Sequence, residues 1–209
     1  RSHCDWSSDV CSSDLAHLID TKEPFIKRLL DEKFNNVWIA LHGADGEDGK
    51  IQSLLELSDI PFTGSRTLSC SLTMNKLFTK KVLMANNHQT PDFLILDETT
   101  TFSEISDTLG SPFIIKPCSQ GSSLGIFIIK DEDQYNEKFL EIHQLNDWII
   151  AEKYFDGPEY TAGFLADKVL PLVKIDASNE EFYNYEAKYL SDETKRSEER
   201  RVGKECRSR

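Results

Sequence analysis

The chain has 209 residues, of which 36 are acidic and 24 basic, giving a formal net charge of −12 at pH 7. This length is enough to bury a core in one large domain or two modest ones, and the acidic balance argues against a nucleic-acid partner. No apolar run approaches the length of a transmembrane helix and no signal peptide is legible, so we expect no membrane partner.

The two ends of the chain differ in composition from its middle. Residues 1–15 and 196–209 lack apolar periodicity, and both resemble in-frame translations of the arms of a sequencing-library adapter. We therefore expect two non-native tails that pack against nothing. The tails hold Cys4, Cys11 and Cys206. The remaining thiols, Cys70 and Cys118, have no metal-ligand spacing, which indicates a reducing cytoplasm.

Alternating helix and strand patterns run along residues 16–75 and predict an α/β domain with a parallel sheet. The predicted elements are a helix at 23–33, a strand at 37–41, a helix at 51–57 and an extended segment at 60–64. The run at 37–41 is continuously apolar, which is typical of a strand buried on both faces. Ser65 or Thr67 is expected to cap the following helix.

A second domain is predicted from Lys76 to Lys195, with the boundary near Asn75. Its predicted helices cover 74–87, 102–109 and 133–143. Its predicted strands cover 93–96, 113–116, 126–130 and 148–152, followed by an antiparallel pair at 160–165 and 169–175.

The stretch 112–125 organises this second domain. Lys116 closes an apolar strand, and a polar loop with glycines around Ser122 and Ser123 leads into the next strand. This layout is typical of a hairpin flap whose backbone N–H groups fold over phosphates. An ordinary hairpin with a polar turn is the alternative at this point.

Further charges stand at predicted element ends. They are Lys76, Lys116 and Lys188, with the carboxylates Glu152 and Glu159. A lysine at a strand end is a good phosphate ligand, and a carboxylate can accept hydrogen bonds from ribose hydroxyls. Each alone is commonly a solvated surface charge, but their combination favours a nucleotide site.

In order and spacing these features resemble the D-alanine–D-alanine ligases of the ATP-grasp superfamily. The matching motifs are 39–43 with 46–49, 60–65, Met74-Asn75-Lys76, Ile115-Lys116-Pro117 with 121–125, 152–153 with 157–161, and Tyr185-Glu186-Ala187-Lys188-Tyr189. The resemblance implies a partial N-terminal parallel-sheet (pre-ATP-grasp) α/β domain, then the first part of an ATP-grasp α+β domain. One departure is Cys118-Ser119, where the family usually carries a small and then a basic residue.

The resemblance also implies roles for individual residues. ATP would be bound by Lys76, Lys116, Ser123, Glu152, Lys153, Phe155 and Glu159. His42 and Glu47 would lie by the first D-alanine. The implied catalytic residues are Ser122, Lys188 and Tyr189. The reaction would be phosphoryl transfer from ATP to one D-alanine and attack by the amine of a second, with Mg²⁺ (or Mn²⁺) and usually in a homodimer.

The family's magnesium-binding acids and its amine-binding glutamate have no match in this sequence. We therefore expect the parent protein to be the ligase and the chain as given to be inactive. The alternatives are a non-catalytic nucleotide-binding module and another ATP-grasp carboxylate–amine ligase, although the motifs at His42 and Lys188 argue against the latter. Tyr189 in the implied lid loop predicts a dipeptide-forming enzyme rather than one that makes the D-lactate ester.

Overall fold

The computed structural model describes residues 16–121, 124–165 and 168–176, and the backbone of 195–198. Six helices lie in these ranges: α1 (Phe25–Asp31), α2 (Lys50–Leu57), α3 (Thr67–Met74), α4 (Lys76–Ala85), α5 (Phe102–Leu109) and α6 (Glu132–His143). The strands described are β1 (Val37–Trp38), β2 (Phe62–Thr63), β3 (Phe93–Leu96), β4 (Phe113–Pro117), β5 (Phe127–Ile129), β6 (Ile149–Lys153), β7 (Glu159–Leu165), β8 (Lys168–Asp176) and β9 (Lys195–Glu198). None of the helices within these ranges is both long and apolar enough to span a membrane.

The first sheet is a parallel pair, as predicted, with Val37 opposite Phe62. Leu29 of α1 and Leu55 of α2 form the core against one of its faces. The prediction of a strand buried on both faces at 37–41 is wrong, because β1 is two residues long and Trp38 is 79% exposed. Its apolar run faces helices on one side only in the residues described.

The helix predicted at 74–87 is α4, which begins at Lys76 because Asn75 interrupts the helical backbone between α3 and α4. Asn75 has φ −90° and ψ 107°, and its side chain accepts a hydrogen bond from the backbone N–H of Phe78, so it caps α4. Lys76 is therefore the first residue of a helix. The expected cap of the preceding helix is wrong: α3 is preceded by Arg66, and Thr67 donates to Glu56 instead.

The second sheet is antiparallel, with strand order β3-β6-β4-β5. Side chains alternate between its faces. Phe113 and Ile115 of β4 point to one face, where they form the main core with α5 and α6. Ile150 of β6 points to the other face and packs against Leu77 of α4. The sheet is thus covered by helices on both faces.

The third sheet is antiparallel in the order β7-β8-β9. The hairpin of β7 and β8 is as predicted, but every residue of β7 is exposed. The expectation that residues 196–209 pack against nothing is wrong for Arg196–Glu198, because these residues belong to β9, in register with β8. Unpaired N–H and C=O groups along the edge of β8 favour such pairing.

Candidate functional site

A cluster of charged side chains lies on the face of the second sheet that α4 covers. Lys116 of β4 is paired with Ile150 of β6, and Glu152 follows two residues later on the same strand. Since alternate residues share a face, Lys116 and Glu152 project to the side where Ile150 meets α4. The strand alternation therefore brings both predicted residues together.

Glu152 lies between two lysines. Its Oε1 is paired with the amine of Lys80, and its Oε2 with the amine of Lys116. The side chains are nearly enclosed: 7% of Lys80, 9% of Glu152 and 16% of Lys116 is exposed. We call Lys80, Glu152 and Lys116 the ion triad.

The amine of Lys80 makes further contacts besides its ion pair with Glu152. Its amine donates to Thr90 Oγ1 at 2.6 Å and to the carbonyl of Pro91 at 3.0 Å, and it lies 5.0 Å from the centroid of the Phe93 ring. Lys80 is not among the site residues predicted from the sequence. The available signal was its spacing of four from Lys76, which places both lysines on one face of a helix.

Lys76 contributes a third amine to the same region. Its Nζ donates to the carbonyl of Gln120 at 2.5 Å, so it holds the polar loop that follows β4. Burial, and then the positive charge of Lys116, lower the pKa of Lys76 below its ordinary value. Lys76 and Lys116 therefore lie close enough to repel each other.

Backbone and side-chain hydrogen bonds fix the start of this loop. The N–H of Lys76 donates to the carbonyl of Cys118 at 2.9 Å, and the Asn75 amide donates to Ser119 Oγ at 3.2 Å. The N–H of Ser119 donates to Asp147 at 2.5 Å. Asn75 and Asp147 are thus loop-anchoring residues that sequence reasoning missed. Cys118 is a buried free thiol, and burial raises its pKa.

The loop also approaches the turn after β1. An ideal Cβ built on Gly121 would lie 3.6 Å from the Cα of Gly43 and 3.9 Å from Glu47 Oε2. Glu47 closes this turn by accepting the N–H of Gly43 at 2.6 Å. His42 is exposed immediately before it. The structure thus brings the predicted substrate residues to the loop that the predicted phosphate residues hold.

The residues predicted to surround adenine and ribose are spread over a wider area. Lys153 is exposed, and its Nζ lies 5.9 Å from the centroid of the Phe155 ring. Phe155 is 64% exposed and lines an open groove of about 880 Å³. Thr90 and Pro91, which bind Lys80, line the same groove, so it adjoins one end of the ion triad.

Glu159 lies in the third sheet, as the first residue of β7, in register with Ile175. Four predicted site residues lie outside the described residues: Ser122, Ser123, Lys188 and Tyr189. The structure therefore does not test their roles.

Lys76, Lys80 and Lys116 place three amines beneath a glycine-containing loop, where Glu152 is paired with two of them and Asp147 is close enough to act on Lys76. Such a site attracts an anion with several negative oxygens. No group of three or more His, Cys, Asp or Glu suited to a metal occurs in the ranges described. These residues do not fit a magnesium centre, so we derive no chemical step through a metal.

Sequence comparisons match both halves of the chain. Residues 11–65 match the family described as "D-ala D-ala ligase N-terminus", and residues 88–208 match "D-ala D-ala ligase C-terminus". The chain belongs to the D-alanine–D-alanine ligase family. The D-alanine–D-alanine ligase of Nitrosomonas europaea is 40% identical over 180 residues, covering 86% of this chain and 59% of that protein. That of Nitrosomonas eutropha is 41% identical over 180 residues, covering 86% and 58%.

Solved structures of the ligase family agree with the fold. The D-alanine–D-alanine ligase of Bacillus anthracis matches with a TM-score of 0.70 at 32% identity, over 87% of this chain and 59% of that one. The same enzyme complexed with ATP matches with a TM-score of 0.69 at 30% identity, over 84% and 55%. This chain therefore spans a little over half the length of the relatives it matches.

Proposed function

We propose that the whole protein is an ATP-dependent ligase that joins two D-alanines into D-alanyl-D-alanine for peptidoglycan synthesis. The observation that carries the proposal is the enclosed cationic cluster of Lys76, Lys80 and Lys116, which has Glu152 as its carboxylate and lies under the loop at Gly121. Membership of the ligase family supplies the reaction class.

In this proposal, Lys116 and Lys76 bind the phosphates of ATP as point charges. Positioning and electrostatic stabilisation account for most phosphoryl-transfer catalysis, and lysines anchored on a strand end and a helix start are suited to both. ATP supplies the phosphoryl group that activates the carboxylate of the first D-alanine. The proximity of Gly121 to Glu47 supports placing that D-alanine by the turn after β1.

The finer assignments belong to the same proposal. Residues 16–75 would form part of the substrate domain and 76–195 part of the ATP-grasp domain. Lys153, Phe155 and Glu159 would contact adenine and ribose, with Ser122, Lys188 and Tyr189 near the reacting groups. We place the enzyme in the cytoplasm as a homodimer without a nucleic-acid or membrane partner, and its Mg²⁺ would be bound by residues other than those that the structure describes.

Nucleotide titration of the 209-residue chain tests the core of this proposal. We expect ATP to bind, and Lys116→Met to weaken binding at least about tenfold, since a hydrogen bond to a charged group contributes about 1.5–3 kcal/mol. Lys81→Met is the matched control, because Lys81 is an exposed neighbour on α4. Equal affinity in wild type and Lys116→Met would contradict the assignment of Lys116.

A D-alanine-dependent phosphate-release assay separates ligation from binding alone. We expect release from a protein that spans the full length of its relatives. A full-length protein that binds ATP but releases no phosphate with D-alanine would be a nucleotide-binding module instead.

A further inference from the structure

Lys116 is engaged by Glu152 in this structure, yet the proposed function needs its amine at a phosphate. Glu152 is buried, and removing one partner from a buried ion pair leaves an uncompensated charge at high cost. In the ion triad, however, Glu152 keeps a second lysine when Lys116 leaves. Lys116 can therefore leave Glu152 without leaving that carboxylate unpaired, because Lys80 still binds it.

Lys80 is held in place by more contacts than Lys116. Besides Glu152 it binds Thr90 and Pro91 and lies over Phe93, at the more enclosed end of the triad. Lys116 is the more exposed of the two lysines and stands two residues before the loop that begins at Cys118. Within the residues described, the hydrogen bond of its amine goes to Glu152.

We propose that Lys80 is a positioning residue that serves as the permanent counter-ion of Glu152, so that Lys116 can exchange Glu152 for a nucleotide phosphate. This inference rests on the proposed function, because it takes the incoming anion to be a polyphosphate. Lys80 itself does not contact the nucleotide. Its effect is to keep Glu152 paired while Lys116 moves.

Inorganic tripolyphosphate is the sharpest probe, because it carries the phosphates without the adenine and ribose that Lys153, Phe155 and Glu159 are proposed to contact. We expect Lys80→Met in the 209-residue chain to weaken tripolyphosphate and ATP binding about tenfold or more, as measured by calorimetry, because Lys116 would then be the one lysine among the described residues still paired directly with Glu152. Lys81→Met removes the same charge from the adjacent position of α4 and should change affinity less than about twofold.

A double-mutant cycle separates exchange from mere structural support. In Glu152→Gln, Lys116 has no carboxylate to leave, so tripolyphosphate should bind more tightly than in wild type. In that background Lys80→Met should have little further effect. A purely structural lysine would instead lower the unfolding midpoint while leaving the affinity of the folded protein unchanged.

The outcomes are distinguishable even if Lys80→Met fails to fold. Wild type that binds neither ATP nor tripolyphosphate overturns both the proposed function and the exchange. Binding that is insensitive to Lys80→Met overturns the exchange alone. If that variant does not fold, Glu152→Gln decides, since tripolyphosphate binding equal to or weaker than that of wild type overturns the proposal.

Discussion

Gly49 shows how a single residue fixes the packing of two helices. It precedes α2 with φ +94°, and an ideal Cβ there would lie 2.2 Å from Ser71 Oγ and 2.8 Å from the carbonyl of Thr67. Both conformation and space therefore require glycine. The absent side chain lets the start of α2 approach α3, next to the turn that carries Glu47.

We expect Gly49→Ala to lower the free energy of unfolding by about 2 kcal/mol, the scale of backbone strain at such positions. Urea denaturation followed by circular dichroism measures this. Gly157→Ala is the control, because no atom lies within 4 Å of its ideal Cβ, and it should stay within about 0.5 kcal/mol of wild type. Equal losses in the two variants would contradict the role of Gly49.

The buried phenol of Tyr135 makes the stability of the folded protein depend on pH in the alkaline range. It is 3% exposed, and its hydroxyl donates to the carbonyl of Thr100 at 2.8 Å. Burial, with smaller contributions from Asp97 and Glu104, raises the pKa of Tyr135 to about 12. The unfolded chain releases this proton near pH 10, so stability from the neutral phenol is present below about pH 10 and is lost as the pH rises toward 12.

Tyr135→Phe should therefore cost about 1 kcal/mol at pH 8, through the lost hydrogen bond, and less at higher pH. Because the phenol contribution falls by up to about 1.4 kcal/mol per pH unit, the difference between variant and wild type should vanish near pH 11. Urea unfolding at pH 8, 10 and 11 measures it. A difference that stays constant across this range would contradict the shifted pKa.

At the scale of elements, α5 depends on a reciprocal cap. The side chain of Thr101 accepts the N–H of Glu104, and the Glu104 carboxylate accepts the N–H of Thr101 at 2.8 Å. These bonds satisfy backbone groups that a helix start leaves open. The cap fixes the helix that presents Ile105 and Leu109 to the main core.

We expect Thr101→Ala to destabilise the protein by about 1 kcal/mol through loss of this cap. Thr108→Ala on the same helix is the matched control, since Thr108 bonds back to the Glu104 carbonyl within the helix and alanine is favoured there. Thermal or urea unfolding of both variants provides the comparison. Losses of similar size would show that threonine deletion, not capping, is being measured.

Hydrophobic periodicity and turn residues predicted the helices and strands whose ends are set by neighbouring residues in the sequence. The strand Phe93–Leu96 and the helix Phe102–Leu109 were predicted with their observed bounds, because periodicity and turn residues mark both ends. The helix predicted at 74–87 extends two residues beyond α4 at each end, because an asparagine cap gives only a weak signal of where a helix begins. The exposure of Trp38 was missed because apolar composition does not say which neighbours cover a strand.

Most residues of the candidate site were predictable from the sequence, but the ion pair between Lys80 and Glu152 was not. Lys76, Lys116 and Glu152 were identified from motif order, and the structure brings all three to one face of the second sheet. Lys80 as the second partner of Glu152 depends on β6 lying beside β4 under α4, a contact between residues far apart in sequence. No local pattern encodes such a contact.

At the scale of the whole molecule, the third sheet presents apolar side chains without a covering layer in the residues described. Phe164 and Val169 are cross-strand partners, and they are 68% and 71% exposed. Adjacent exposed apolar residues on strands favour self-association. Tyr160, Leu165, Leu170 and Leu172 of the same two strands are exposed as well.

We expect the chain to bind anilinonaphthalene sulfonate and to associate at high concentration, and the double variant Phe164→Lys, Val169→Lys to reduce both. Dye fluorescence and analytical ultracentrifugation measure these effects. Leu140→Lys is the control, because Leu140 is similarly exposed, at 63%, but lies on α6. If the control lowered both signals equally, the sheet would not be the associating surface.

The order of strands in the second sheet has a consequence for how the protein is made. One of the two interior strands, β6, is the last of its four to leave the ribosome, and β3 and β4 both pair with it and not with each other. Until Glu152 emerges, a nascent chain holds Lys80 and Lys116 without their shared carboxylate. Closing contacts across such a sequence separation is slow compared with hairpin formation. Completion of the sheet and pairing of both lysines with Glu152 therefore depend on the same strand.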